Sequence, residues 1–277
     1  TDTFFSTIVS ELERLALEKH YDIIVASTHG IPEIEESRIS ALMAWRPAGL
    51  IVVPTDGRLP ESFSSKEFSI PLVLVDRIQP DIKWFDTVTI NNHETGYAVG
   101  MYLKSKGHER ILVAASDLKY PPIRARLQGF LEAIKPNTDM IKIVELGDEH
   151  REGPDGVIDA FKEEPMTTAV FALNYTTTLD ALAALSELEL FIGRDISLIA
   201  FDDHSWMAAR MTGLTAVRQP IEDIAKTSWT RLLTHIENAD QDFEPASIVL
   251  EATLIERESV IDLNKQESDT RTSMKIS

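Results

Sequence analysis

Ile199-Ala200-Phe201-Asp202-Asp203 is an apolar run that stops on two adjacent carboxylates. The interior of a strand in a parallel α/β sheet is dry, and ligands gather at the carboxyl ends of the strands. A carboxylate there can only accept hydrogen bonds, so it meets a ligand through hydroxyl or amino groups. Arg126, in Arg126-Leu127-Gln128-Gly129-Phe130, and Asn174 stand at the starts of two other predicted helices. Together these residues read as a polar clamp for a small polyol.

Working outward from that run, helical stretches alternate with short apolar runs, as a βαβ chain requires. A first helix is expected from about Phe5 to Lys19, with Phe5, Ile8, Leu12 and Leu15 on one stripe. Strand-like runs follow at Ile23–Val25, Leu50–Val53, Leu72–Val75 and Thr87–Ile90. A second series begins near Asn91. It has helices around Glu94–Lys104, Arg124–Ile134, Val157–Phe161 and Thr176–Leu185, interleaved with strands at Ile111–Val113, Ile141–Val144, Val170–Ala172 and Ser197–Phe201. Two such series suggest two similar α/β lobes with parallel sheets. A helix from Ile221 to Ile236 comes next, then a strand from Ser247 to Ile255 and a polar tail, 263–277, expected to be disordered.

Composition narrows the function. The 277 residues are 43% hydrophobic and 26% charged, ordinary for a soluble globular chain, and no apolar stretch approaches a membrane span. There is no cysteine, hence no disulfide, thiolate metal site or thiol nucleophile. A net charge of −18 argues against nucleic-acid binding by this segment alone. The seven histidines show no i, i+4 metal pair, and neither a G-x-S-x-G elbow nor a phosphate loop nor a dinucleotide fingerprint is present. Neither an enzyme nor a cofactor is expected, although Asp202 and Asp203 leave a metal or phosphoacceptor reading open.

Several motifs, weak singly, are specific in their order and spacing. Pro71-Leu72-Val73-Leu74-Val75-Asp76-Arg77, Asp86-Thr87-Val88 with Asn91-Asn92 and Gly96, and Gly107-His108-Glu109-Arg110-Ile111 come first. Arg126 with Gly129-Phe130, Leu214–Pro220 and Leu254–Ser259 follow. In these the chain resembles the effector-binding core of the LacI/GalR transcription regulators, nearly end to end. The resemblance implies a type I periplasmic-binding-protein fold, two Rossmann-like lobes joined by three crossovers with the effector in the interlobe cleft. Carried over, one lobe spans 1–90 plus 221–253, and the other 91–219 plus 254–262. The family's helix-turn-helix head and first strand do not appear in the sequence, so the resemblance implies a protein that extends upstream of Thr1. Ala200 and Asn91 depart from a usual glycine and aspartate.

The same resemblance adds Asp76, Gln219 and Phe4 to Asp202, Arg126 and Asn174 as candidate ligand contacts, and position in the chain adds Tyr120, in the loop before Arg126, and Trp206, four residues beyond Asp202. Each has a plain structural alternative. Asp202 can cap the following turn, Arg126 can be a solvated charge, and Asn174 can be a helix cap. Asp76 and Gln219 can satisfy crossover backbone, and Trp206 can merely cover a lobe. Phe5 fits the core stripe, which leaves Phe4 to stack on a sugar ring. Asp203 points elsewhere and is expected to be structural. The implied protein is a cytoplasmic, homodimeric regulator that binds a sugar or sugar derivative and reaches operator DNA through its head. The alternative is a periplasmic sugar-binding component of a transport system.

Overall fold

The computed structural model describes residues 3–265 apart from 58, 60–62, 64–69, 136, 148–152, 239 and 242. The chain is α/β and divides into two compact units, one of Thr1–Asn91, Lys119–Pro122 and Pro220–Glu251, the other of Asn92–Leu118, Ile123–Gln219 and Ala252–Ser277.

The first unit carries a four-stranded, all-parallel sheet in the order β1-β2-β3-β9. Its strands are β1 (Leu50–Val52), β2 (Leu72–Val75), β3 (Asp86–Ile90) and β9 (Ser247–Leu250). Helices α1 (Thr3–Leu17) and α8 (Ile221–Glu237) pack on each other, and α8 lies on β1, β2 and β3. The buried stripe of α1 is Phe4, Ile8, Leu12 and Ala16. That is not the Phe5-to-Leu15 stripe expected, since a run with apolar residues at both 4 and 5 satisfies a 3.6-residue period in either phase. A further helix, α2 (Pro32–Met43), has a proline in its first turn but buries only Glu35 and Ile39, so its sequence shows little periodicity.

Residues 23–25 form no strand. β1 is the edge of the sheet among the described residues, and Ile24 and Val25 are each 57% exposed. An apolar run without a hydrogen-bonding neighbour has no ladder to join. The segment 247–255 is likewise not one strand. β9 pairs in parallel with β3, whereas β10 (Thr253–Ile255) pairs antiparallel with β8 of the other sheet.

The second unit holds a six-stranded sheet in the order β10-β8-β7-β6-β4-β5, parallel except for β10. Here β4 is Ile111–Ala115, β5 Ile141–Glu145, β6 Ala169–Ala172, β7 Ser197–Phe201 and β8 Thr215–Arg218. The connecting helices are α3 (Asn92–Ser105), α4 (Pro121–Ile134), α5 (Gly153–Glu163), α6 (Tyr175–Glu187) and the short α7 (Ser205–Ala208). All five residues of β4 and of β7 are buried, as continuous apolar strands in a covered parallel sheet should be. β5 is an edge strand and half open. Because β4 lies between β5 and β6, the winding reverses there, and the carboxyl ends of β4 and β6 form a topological switch point.

Gly107, at φ +83°, makes the turn into β4 that a side chain would strain. The chain beyond it is pinned from 263 onward: Leu263 N–H donates to Lys106 O and the Asn264 amide to Ser105 O. The expected disordered tail therefore starts too early at 263, and its remainder, 266–277, lies outside the described residues.

Candidate functional site

The carboxyl edge of the second sheet is polar at each strand that winds through the switch point. Ser116 follows β4, Asn174 follows β6 by one residue, Asp202 follows β7 and Gln219 follows β8. Asp202 leaves β7 at φ +67°, a left-handed conformation that aspartate tolerates better than most residues. It is 6% exposed, and its Oδ1 accepts from Gln219 Nε2 at 2.6 Å. The carboxylate thereby fixes which way the glutamine amide points. Gln219 Oε1 is left buried with no hydrogen-bond partner among the described residues. A buried acceptor in that condition costs free energy until a donor arrives. Such an edge can receive a ligand that supplies hydroxyl or amino hydrogens.

Asp203 behaves differently. Its side chain, 2% exposed, accepts from both Arg257 (2.8 and 2.9 Å) and Arg218 (2.6 and 3.0 Å). Burial pushes its carboxyl up, but the bonds from Arg257 and Arg218 outweigh burial and hold it below the usual carboxylate range. These bonds make Asp203 a structural ion-pair centre that ties β8 to the segment after β10. Among the described residues no group of three metal-ligating side chains is formed.

Arg126 is buried at 3% exposure rather than solvated. Its Nε donates to Asn92 Oδ1 and its Nη1 to Leu173 O, both at 2.7 Å, and its guanidinium lies 3.6 Å from the centroid of the Phe201 ring. It therefore braces the ends of β6 and β7 from beneath the polar edge. The close crossing of α3 and α4 puts it there. A Cβ on Gly96 would run into the backbone carbonyl of Arg126, and one on Gly129 into that of His93. Asn174 is the N-cap of α6 in a reciprocal capping box with Thr177, and its Nδ2 donates to Ser116 Oγ at 2.9 Å. The cap reading of Asn174 thus holds in the structure, alongside a bond that joins β4 to β6. Trp206 packs on the core of the unit beside Tyr175.

In the first unit, Asp76 leaves β2 at φ +66°, the same left-handed exit that Asp202 makes from β7, and its N–H donates to Val88 O. Phe4 is 4% exposed and belongs to the core, while Phe5 is half-buried with the Arg77 guanidinium 5.5 Å from its ring centroid. Phe4, not Phe5, therefore occupies the core stripe of α1. Tyr120 is 5% exposed, with Arg77 at 4.0 Å and Lys119 at 4.9 Å from its ring centroid. Ser116, whose hydroxyl accepts from Asn174 Nδ2 at 2.9 Å on the same polar edge, was not singled out by the sequence.

Comparison with known proteins agrees with this architecture. Residues 101–260 match the family described as periplasmic binding protein-like domain. Over 265 residues the chain is 30% identical to the HTH-type transcriptional repressor PurR of Escherichia coli O1:K1, covering 94% of this chain and 76% of that protein. The chain belongs to the LacI/GalR family.

Solved LacI/GalR-type structures superpose on it closely. A putative ribose operon repressor from Burkholderia thailandensis is 25% identical, with a TM-score of 0.80 over 91% of this chain and 94% of its own. A LacI family regulator from Enterococcus faecium, solved with bound ribose, shares the fold at 22% identity and a TM-score of 0.79, each chain covered to 94%. The LacI/GalR effector core is thus a ligand-sensing regulatory domain, and the repressor relatives do not favour the transport alternative. Among the described residues no helix is long and apolar enough to cross a membrane.

Proposed function

We propose that this LacI/GalR core senses a small polyhydroxylated effector, a sugar or sugar derivative, within a cytoplasmic, homodimeric regulator of operator binding. The observation that carries the reading is the pair formed by Asp202 and Gln219, with the amide oxygen of Gln219 buried and unbonded. An acidic acceptor beside a second acceptor selects a ligand with neighbouring hydroxyl hydrogens. Ser116 and Asn174 extend the same polar edge over β4 and β6, and Arg126 positions it through Asn92, Leu173 and Phe201.

The relatives are transcription regulators, and on this reading the output is a change in population. An effector biases a regulator between two arrangements only by binding one of them more tightly than the other. The test is calorimetric titration of the chain with sugars, polyols and nucleobases, repeated on Asp202→Asn. Selective binding by a hydroxyl-rich compound, weakened roughly ten- to a hundredfold in the variant, supports the reading. Equal affinity in the variant would show that the polar edge of the second sheet is not the site.

A further inference from the structure

The polar edge of the second unit is not uniform in hydrogen-bond sense. Across the sheet its strands run β8, β7, β6, β4, so the residues at their carboxyl ends follow in the order Gln219, Asp202, Asn174, Ser116. All four belong to that one unit. The first two offer oxygen. A carboxylate has no hydrogen to give, and the Gln219 amide turns its nitrogen to Asp202 Oδ1, leaving Oε1 buried and unbonded among the described residues.

The other two offer hydrogen. Asn174 Oδ1 caps α6 by accepting the Thr177 N–H at 2.9 Å, which settles the end of the amide that faces the helix. Its Nδ2 therefore faces Ser116, whose Oγ accepts one hydrogen at 2.9 Å. With an N–H pointed at its oxygen, the Ser116 hydroxyl directs its own hydrogen away from Asn174, and that hydrogen has no acceptor among the described residues. Ser116 is 3% exposed, and a donor buried that deeply and left unbonded costs free energy until an acceptor reaches it. The second Nδ2 hydrogen of Asn174 is likewise unbonded among the described residues.

We propose that Ser116 is a specificity-determining residue of the effector site, because it keeps the β4–β6 half of the edge a donor against an accepting β7–β8 half. The effector is then held in one orientation, with an accepting oxygen over β4 and β6 and hydroxyl or amino hydrogens over β7 and β8. This deepens the sensing role and rests on it. Neighbouring strands stand about 4.8 Å apart, so a small ligand over β6 and β7 meets both halves at once. An atom that accepts but cannot donate, such as a ring oxygen or a fluorine in place of a hydroxyl, satisfies the first half and leaves the second unpaired.

The test is calorimetric titration of the chain with ribose, xylose, glucose and galactose, then with the monodeoxy and monofluoro analogues of the tightest binder among them. At one hydroxyl position, loss of the oxygen should weaken binding roughly three- to tenfold while fluorine restores most of the loss. At another position fluorine should restore none of it. Ser116→Ala should erase the difference between fluoro and deoxy analogues at the first position and leave the second unchanged. A serine that only tied β4 to β6 would, on removal, lower the melting temperature and shift all analogues alike. Fluorine that restores binding nowhere, a uniform shift in Ser116→Ala, or a fluoro-to-deoxy ratio that survives it overturns the proposal and leaves the sensing role intact. Binding of none of the four sugars overturns both. If Ser116→Ala does not fold, Ser116→Cys takes its place: the thiol is a weaker donor, so the ratio should shrink, and an unchanged ratio refutes the role of the hydroxyl hydrogen.

Discussion

Asp202→Asn and Asp203→Asn are the same chemical change on neighbouring residues, with opposite expected consequences. At 203 the carboxylate is 2% exposed and receives four N–H bonds from Arg257 and Arg218. Breaking a buried ion pair by removing one member costs about 3–5 kcal/mol, because the other charge is stranded. Arg218 is 56% exposed, so its arm contributes about 0–1 kcal/mol. Arg257 is 14% exposed, but it keeps its bond to Leu214 O at 2.6 Å, which places the loss near the lower bound. A cost of about 3 kcal/mol, at about 2–4 °C of melting temperature per kcal/mol for a domain of this size, lowers the midpoint by about 6–12 °C.

At 202 the arithmetic runs the other way. Asparagine tolerates the left-handed backbone at φ +67°, and its carbonyl oxygen can still accept from Gln219 Nε2. The stability change is therefore expected to stay below about 1 kcal/mol. What disappears is the charge behind the ligand's hydrogen bonds, worth about 1.5–3 kcal/mol, or a ten- to hundredfold loss of affinity. The assay is urea unfolding of both variants together with titration of the best-binding sugar. Asp203→Asn should unfold early yet bind within about twofold of the parent while folded, and Asp202→Asn should do the reverse. A weakened binder at 203 with undiminished stability, or an unstable chain at 202 with undiminished affinity, would refute the division of labour between the two carboxylates.

Three further outcomes follow from the packing and the buried charges. Gly129→Ala forces α3 and α4 apart at His93 and, by moving Arg126 off Leu173 and Phe201, should cost about 3 kcal/mol in chemical denaturation and weaken effector binding as well. Asp86, 1% exposed, accepts from Arg231, His235 and Ala246 N–H; burial raises its pKa, but those bonds outweigh it and hold the carboxyl low. Its contribution is thus complete above the unfolded carboxylate value of 3.8 and fades as pH falls through the lower folded value, so Asp86→Asn should destabilise at pH 7 and flatten the acid limb of the unfolding profile. Burial lowers the pKa of His108, which bonds Thr168, Ser197 and Ile261 O, so the folded state resists its protonation. Stability should decline as pH drops below the ordinary histidine value of 6.5, and His108→Gln should remove that slope in a pH series of melting curves.

Much of this molecule could be read from its sequence because the reading rested on local physics. A continuous apolar run ending in carboxylates is a buried strand with a polar exit, and Leu72–Asp76 and Ile199–Asp202 both proved so, even sharing the left-handed exit. The misreadings share one cause, which is that they depended on a partner distant in sequence. Phe4 and Phe5 satisfy a helical stripe equally well, and only the packing of α1 on α8 chooses Phe4 for the core. Ser247–Ile255 reads as one strand because β-branched residues do not announce a change of sheet, and only pairing with β3 and then β8 divides it. The Ile23–Val25 run has strand composition but no neighbour among the described residues. Arg126 and Arg77 look alike as isolated cations. Folding gives the first a bed of Asn92, Leu173 and Phe201 that uses it as a brace, and the second the rings of Phe5 and Tyr120 and the carbonyl of Thr55. A residue type at a strand end therefore identifies an edge polar enough to receive a ligand. Which of its charges remain available to that ligand depends on what the rest of the fold has already bonded.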